Sequence, residues 1–225
     1  MGMATFQRAR SEEQREIRRR AILDTTAAML VAMPVSEIRL NEISRRVGLA
    51  KSNVLRYFES REAILLELLD RSTRQWLAEL AERLPAEIDP SSTARERGDQ
   101  LAASLASSLA PHRVLCDLFS SQAGVLEHNV SVDVAARYKR ATIENLTALA
   151  ELVGRQLPEL GDDAWKVCGM ATVFAGALWT HTRPSASVLA AYDADPALAA
   201  MRMDFTTALE ETLATLITGA IARTP

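Results

Sequence analysis

Residues Leu40–Phe58 read LNEISRRVGLAKSNVLRYF, and the reading of this stretch decides the fold. Leu40, Ile43 and Val47 recur at i, i+3 and i+7, which places them on one face of a helix. Gly48 follows at once, where a helix stops on a residue that tolerates positive φ. Val54 and Phe58 are four apart, with Leu55 beside Val54, so a second helix over this segment has an apolar face of its own. Lys51, Ser52, Asn53 and Arg56 lie on its other side and carry donors of the kind that meet phosphates and base edges. A helix, a glycine turn and a second helix with a basic, hydroxyl- and amide-bearing outer face is the form of a helix-turn-helix DNA reader.

Working outward, charge supports the same reading. The chain has 225 residues and a formal net charge of −3, which by itself argues against non-specific nucleic-acid binding. The charge is unevenly placed. Residues 1–61 hold twelve Arg/Lys against seven Asp/Glu, net +5, and residues 62–225 hold fourteen against twenty-two, net −8. A basic head on an acidic body keeps the phosphate-attracting field at one end. Ala, Leu, Glu and Arg dominate, aromatics are 5%, and β-branched runs with period two are absent, so an all-α fold is expected.

Cys116 and Cys168 sit far apart in apolar stretches and read as buried free thiols in a reducing compartment. The N-terminal stretch MGMATFQRARSEEQREIRRR is polar and Arg-rich, without the apolar core of a signal peptide. The longest uncharged run, Val167–Thr182, is 16 residues, short of the roughly 20 a membrane-spanning helix needs. A soluble, cytoplasmic protein that engages no membrane is expected.

The opening stretch also resembles a known family. Ile43, Gly48, the Tyr57-Phe58 pair and Ser60-Arg61-Glu62 stand at the spacings of the signature of the TetR family of bacterial repressors, and the similarity runs from about Ile22 to Leu69. Arg39 stands where the family has a capping Thr, Ala50 where it has a turn Ser, and Leu55 where it has its first aromatic. By position in that pattern, Arg46, Lys51, Ser52, Asn53, Arg56 and Tyr57 are the candidate DNA contacts. Arg61 joins them, because the N-terminus of a helix already favours an anion. The resemblance implies a domain of residues 1–59, with its helix-turn-helix at 40–58, followed by a larger helical ligand-binding and dimerisation domain over 60–225.

The remaining elements are expected to be helices. Residues 1–10 read as disordered, and helix 1 runs from about Ser11, which begins a capping box with Gln14, to Met33, where Pro34 stops it. Arg18, Arg19 and Arg20 form either an arm for phosphate or a minor groove, or simply a solvated helix end. Ser60 caps a long helix that ends at Pro85 and spans from head to body. Further helices are expected over about 93–109, 111–127, 131–156, 162–182 and 196–221, with Ser185–Asp195 a loop. In 162–182, Gly169, Val173, Gly176 and Thr180 form a small face that admits a partner helix, and 196–221 carries a broad apolar stripe. Two such helices from each of two copies make a four-helix interface; packing within one chain is the alternative. The resemblance implies the homodimer, and a dimer places two readers about 34 Å apart on palindromic double-stranded DNA.

No catalytic constellation is present: there is no phosphate-binding or dinucleotide-binding glycine motif, no G-x-S-x-G and no H-E-x-x-H. His112 and Cys116 have metal-ligand spacing but no third ligand nearby. No enzyme activity, metal or cofactor is therefore expected. The resemblance implies an inducer cavity in the body, with Trp76, Cys116, Phe119, Met170, Phe174 and Trp179 as candidate lining. The expected function is that of a ligand-responsive transcriptional repressor. The alternatives are a helical carrier or enzyme without a DNA function, and a regulator or activator that needs no ligand.

Overall fold

The structure, a computed structural model, describes residues 2–223, with side chains from Glu12 onward. Among these residues all regular structure is helical. The first three helices are α1 (Gly2–Ala32), α2 (Leu40–Val47) and α3 (Lys51–Val54). Gly48 ends α2 with φ +74°, the left-handed conformation that a side chain disfavours, and its N–H returns to the carbonyls of Ser44 and Arg45. Ile43, Val54 and Phe58 are buried, as are Ile22 and Met29 of α1, which packs on α2, and Ile38 of the connecting loop. The second helix of the motif is shorter than expected. After Val54 the bonds tighten to i→i+3, from Arg56 N–H to Asn53 O and from Tyr57 N–H to Val54 O, so the chain reaches Phe58 as turns rather than as helix.

Helix α1 begins at Gly2 rather than Ser11, so Ser11 lies inside it and is not its cap; the expected disorder of Met1 falls outside the described residues. Ser60 caps α4 (Arg61–Glu87) by accepting from the Ala63 N–H. Pro85 does not stop this helix. It sits exposed in the last turn, the i−4 carbonyl that loses its N–H belongs to the exposed Ala81, and α4 runs on to Glu87. At 27 residues α4 is about 40 Å long and packs on α1 at one end and on the body at the other.

The body comprises α5 (Ala94–Leu109), α6 (Arg113–Ser121), α7 (Val132–Gln156), α8 (Ala164–His181) and α11 (Phe205–Ile221), packed around the C-terminal half of α4. Thr93 and Glu96 form a reciprocal capping box at the start of α5. The expected helix 111–127 is instead α6 followed by a π-helical turn over Gln122–Leu126. Two further corrections lie near the C-terminus. The expected loop 185–195 holds a helix, α9 (Ala186–Ala194), capped by Ser185, and the expected single helix 196–221 is broken into α10 (Pro196–Ala199) and α11. Asp195 and Asp204 cap α10 and α11 separately, which makes the break local and chemical. No helix among the described residues is long and apolar enough to cross a membrane.

Candidate functional site

The two-helix motif presents its outer face at the free end of the head. Lys51, Ser52, Asn53 and Arg56 are all exposed, while Val54 between them is fully buried and fixes the orientation of the turn. Tyr57 is half-buried and borders a groove that α1 completes with Gln14, Arg15 and Arg18. Among the described residues no carboxylate pairs with Lys51, Arg56, Arg15 or Arg18. These four cations without acid partners, three of them around one groove, give this end of the head a positive surface. Arg15 is an addition to the residues expected from the motif; its signal was its place three residues before Arg18 on the same helical face.

Other expected contacts have different surroundings. The Arg46 guanidinium donates to Glu42 Oε1 at 2.8 Å, and Arg45 donates to the same carboxylate at 2.6 Å. Those two side-chain bonds hold Glu42 down to a pKa of about 2. Arg61 is turned inward. Its Nη1 donates to the Ile38 carbonyl at 2.8 Å and its Nε to Glu62 at 3.1 Å, so it ties the start of α4 to the loop before α2. Arg19 is likewise structural: it donates to the Tyr57 carbonyl at 2.8 Å, pairs with Glu67 and lies over the Phe58 ring, 4.2 Å from its centre. Arg20 pairs with Glu16 along α1.

The body contains a cavity of about 380 Å³ between α4, α6, α7 and α8. Of the six lining candidates, Trp76 and Phe119 border it. Cys116 is fully buried on another face of α6, and burial pushes its thiol up to about 12. Met170 is exposed on α8, and Phe174 lies in a shallow groove between α8 and α11. Trp179 packs edge-on against Phe205, 5.1 Å between ring centres, with Arg183 over its face. These four are placed away from the cavity because helix periodicity gives burial but not the neighbour that each buried face meets. The polar lining was missed altogether: Asp70, Thr73, Thr142 and Asn145 on α4 and α7, and Gln122 on the π-helical turn. The small face of α8 also has a different partner. A Cβ on Gly176 would stand 2.8 Å from the backbone carbon of Phe119, so Gly176 admits α6 of the same chain. Gly169 and Val173 line the cavity. Among the described residues no group of three or more His, Cys, Asp or Glu is arranged to hold a metal ion.

Among the described residues, head and body meet at two polar contacts besides those of α4 itself. Asp117 on α6, two residues before the cavity-lining Phe119, accepts from the Val35 N–H in the loop between α1 and α2 at 2.8 Å. Glu59 accepts from the backbone N–H and the hydroxyl of Ser131 at the start of α7, and these two bonds hold its carboxyl below the usual value. On α4 itself, Arg71 pairs with Asp24.

A family profile described as tetracyclin repressor-like, C-terminal domain, matches residues 70–224. The chain is 37% identical over 86 residues to the HTH-type transcriptional regulator EthR of Mycobacterium tuberculosis, a match covering 38% of this chain and 37% of that protein's length. In fold it is similar to the FadR transcriptional regulator of Bacillus subtilis, solved in complex with stearoyl-CoA (14% identity, 89% of this chain and 97% of that one, TM-score 0.52). It is similar to a TetR-family regulator from a Rhodococcus species as well (14% identity, 91% and 98%, TM-score 0.53). With its helix-turn-helix head and a matched C-terminal body, the chain belongs to the TetR family of transcriptional regulators.

Proposed function

We propose that the protein is a ligand-responsive repressor that binds a palindromic DNA operator as a homodimer, with a head of residues 1–59 reading DNA and a body of residues 60–225 binding the effector and the second copy. The observation that carries this reading is a path of contacts from a cavity toward the reading face. Phe119 lines the cavity, Asp117 on the same helix holds Val35, and Val35 is buried in the core shared with Ile43 and Val54. A ligand that favours a different position of α6 or α4 changes the separation of the two heads, provided it binds that state better than the DNA-bound one. The ligand-bound FadR supports a ligand in a body of this fold.

Lys51, Ser52, Asn53 and Arg56 read base edges and phosphates, and Arg15, Arg18 and Tyr57 brace the backbone alongside. Arg56 has the two-point fork that suits guanine O6 and N7. The homodimer forms on the outer faces of α8 and α11, where Trp165 and Met170 are exposed and Phe174 and Leu216 border an open groove. The α9–α10 segment extends that surface. It buries no residue against its own chain while exposing Val188, Leu189, Leu198, Met201 and Met203.

A gel-shift titration against the DNA upstream of the protein's own gene tests the reading, with salt varied. A specific complex whose affinity falls steeply with salt is expected. No specific complex there, and none after selection from random DNA, refutes it.

A further inference from the structure

The cavity has a distinct charge. Among its lining residues there is no Lys, Arg or His, and Asp70 is the one ionisable carboxylate. The walls are otherwise aliphatic and aromatic, with hydroxyl and carboxamide groups interspersed. Asp70 is about three-quarters buried. Its Oδ1 accepts from Asn145 Nδ2 at 2.8 Å and from Arg74 Nε at 3.0 Å, and Arg74 Nε stands 3.1 Å from Oδ2. Arg74 does not neutralise the site, because it is shared: its Nη2 donates to Glu144 at 3.0 Å, and the side chain is half exposed. Two carboxylates around one guanidinium leave the cluster with a net negative charge. The carboxylate also keeps acceptor capacity, since each of its oxygens has two lone-pair sites. On their other side Asp70 and Tyr138 border a second groove toward the head, where Arg19 is paired with Glu67 and Arg137 lines the wall; neither arginine lines the cavity itself.

We propose that the effector cavity takes an apolar or aromatic molecule that is cationic or carries a neutral hydrogen-bond donor, seated with that donor on Asp70, and that it rejects carboxylate and phosphate ligands. The inference rests on the reading of this cavity as the effector site. Three physical points carry it. A ligand anion entering here loses water and meets a fixed negative charge with no cation in the wall to compensate. A ligand ammonium gains a charge-assisted bond, roughly twice as strong as a neutral one. Trp76 and Phe119 offer aromatic faces to the rest of the molecule, and Trp76 is held in place by donating from Nε1 to Ser108 Oγ at 2.9 Å. A cavity of this size suits a small one- or two-ring compound. The stearoyl-CoA of the similarly folded FadR is therefore the wrong class of ligand for this chain.

The test uses three probes on one frame, 4-phenylbutylamine, 4-phenylbutanol and 4-phenylbutyrate, titrated calorimetrically into the full-length protein at pH 7. The amine is expected to bind about tenfold more tightly than the alcohol, and the butyrate more weakly than both. Asp70→Asn is expected to bring the amine to the level of the alcohol. Glu144→Gln, outside the lining, leaves Arg74 to Asp70 alone and is expected to narrow the spread between the amine and the butyrate. Butyrate binding as tightly as the amine, or an amine preference that survives Asp70→Asn, overturns the proposal while leaving the cavity an effector site. Binding of none of the three to the wild-type protein overturns the effector-cavity reading and the proposal with it. Should Asp70→Asn fail to fold, the order of the three probes on the wild-type protein decides.

Discussion

Gly176→Ala is the substitution on which the packing argument bears most directly. A methyl at this position would lie 2.8 Å from the Phe119 carbonyl carbon, 2.9 Å from its oxygen and 3.0 Å from the Ser120 nitrogen. All three are backbone atoms of α6, so no rotamer change relieves the contact. Restoring ordinary carbon contacts near 3.5 Å requires α6 and α8 to part by about 0.7 Å. Overpacking of this kind costs about 1–3 kcal/mol. Alanine also gains about 1 kcal/mol over glycine inside a helix, which masks part of that cost. Gly169 on the same helix supplies the reference, because a Cβ there meets nothing within 4 Å. Gly169→Ala is expected to be neutral or to stabilise by up to about 1 kcal/mol. Gly176→Ala is expected to be less stable than Gly169→Ala by about 1–3 kcal/mol. Urea unfolding followed by circular dichroism, at one fixed protein concentration, reads the difference. Two alanine variants of equal stability within about 0.5 kcal/mol refute the claim that Gly176 exists to admit the α6 backbone.

Other expectations follow from the head and its attachment. Arg56→Ala abolishes specific operator binding while leaving the thermal unfolding curve unchanged, and Lys51→Ala lowers the slope of log affinity against log salt by about one; a gel shift over a salt series reads both. Asp117→Ala leaves the Val35 N–H without its partner and is expected to cost about 1–3 kcal/mol; the operator affinity of this variant should respond less to effector than that of the wild type, measured by fluorescence anisotropy on labelled DNA. The Glu59 pKa is lowered in the folded protein by the N–H and hydroxyl of Ser131, so its contribution to docking the head on α7 is present above the ordinary carboxyl value of 4.5 and is lost as pH falls through the folded value. Glu59→Gln should therefore flatten the acid limb of the stability curve below pH 4.5 and leave the neutral region nearly parallel to the wild type. Cys116 and Cys168 are buried, with thiol pKa values pushed up to about 12 by burial, so neither should react with a thiol reagent until the protein unfolds.

The helix-turn-helix was legible because its determinants are local. A 3.6-residue repeat, a glycine that must adopt positive φ and a serine cap act within one or two turns of chain, and Ile43, Gly48 and Ser60 behave as those rules require. The exposure of Lys51, Ser52, Asn53 and Arg56 was legible for the same reason. What the residues alone left open was every relation between distant segments. Arg61 and Arg19 read as free cations, yet the fold brings the Ile38 carbonyl and Glu67 to them across 23 and 48 residues. Gly176 read as a surface for a second copy, and tertiary packing filled it with Phe119 of the same chain. The run of α4 past Pro85 depended on its exposure in the last turn, which is set after packing, whereas the breaks at Asp195 and Asp204 rest on caps two and three residues away that the chain itself carries. The cavity shows the division most plainly. Its apolar character follows from composition, but its one fixed charge arises because α4 and α7 bring Asp70, Arg74, Asn145 and Glu144 together, and proximity between residues about seventy positions apart is a property of the fold alone.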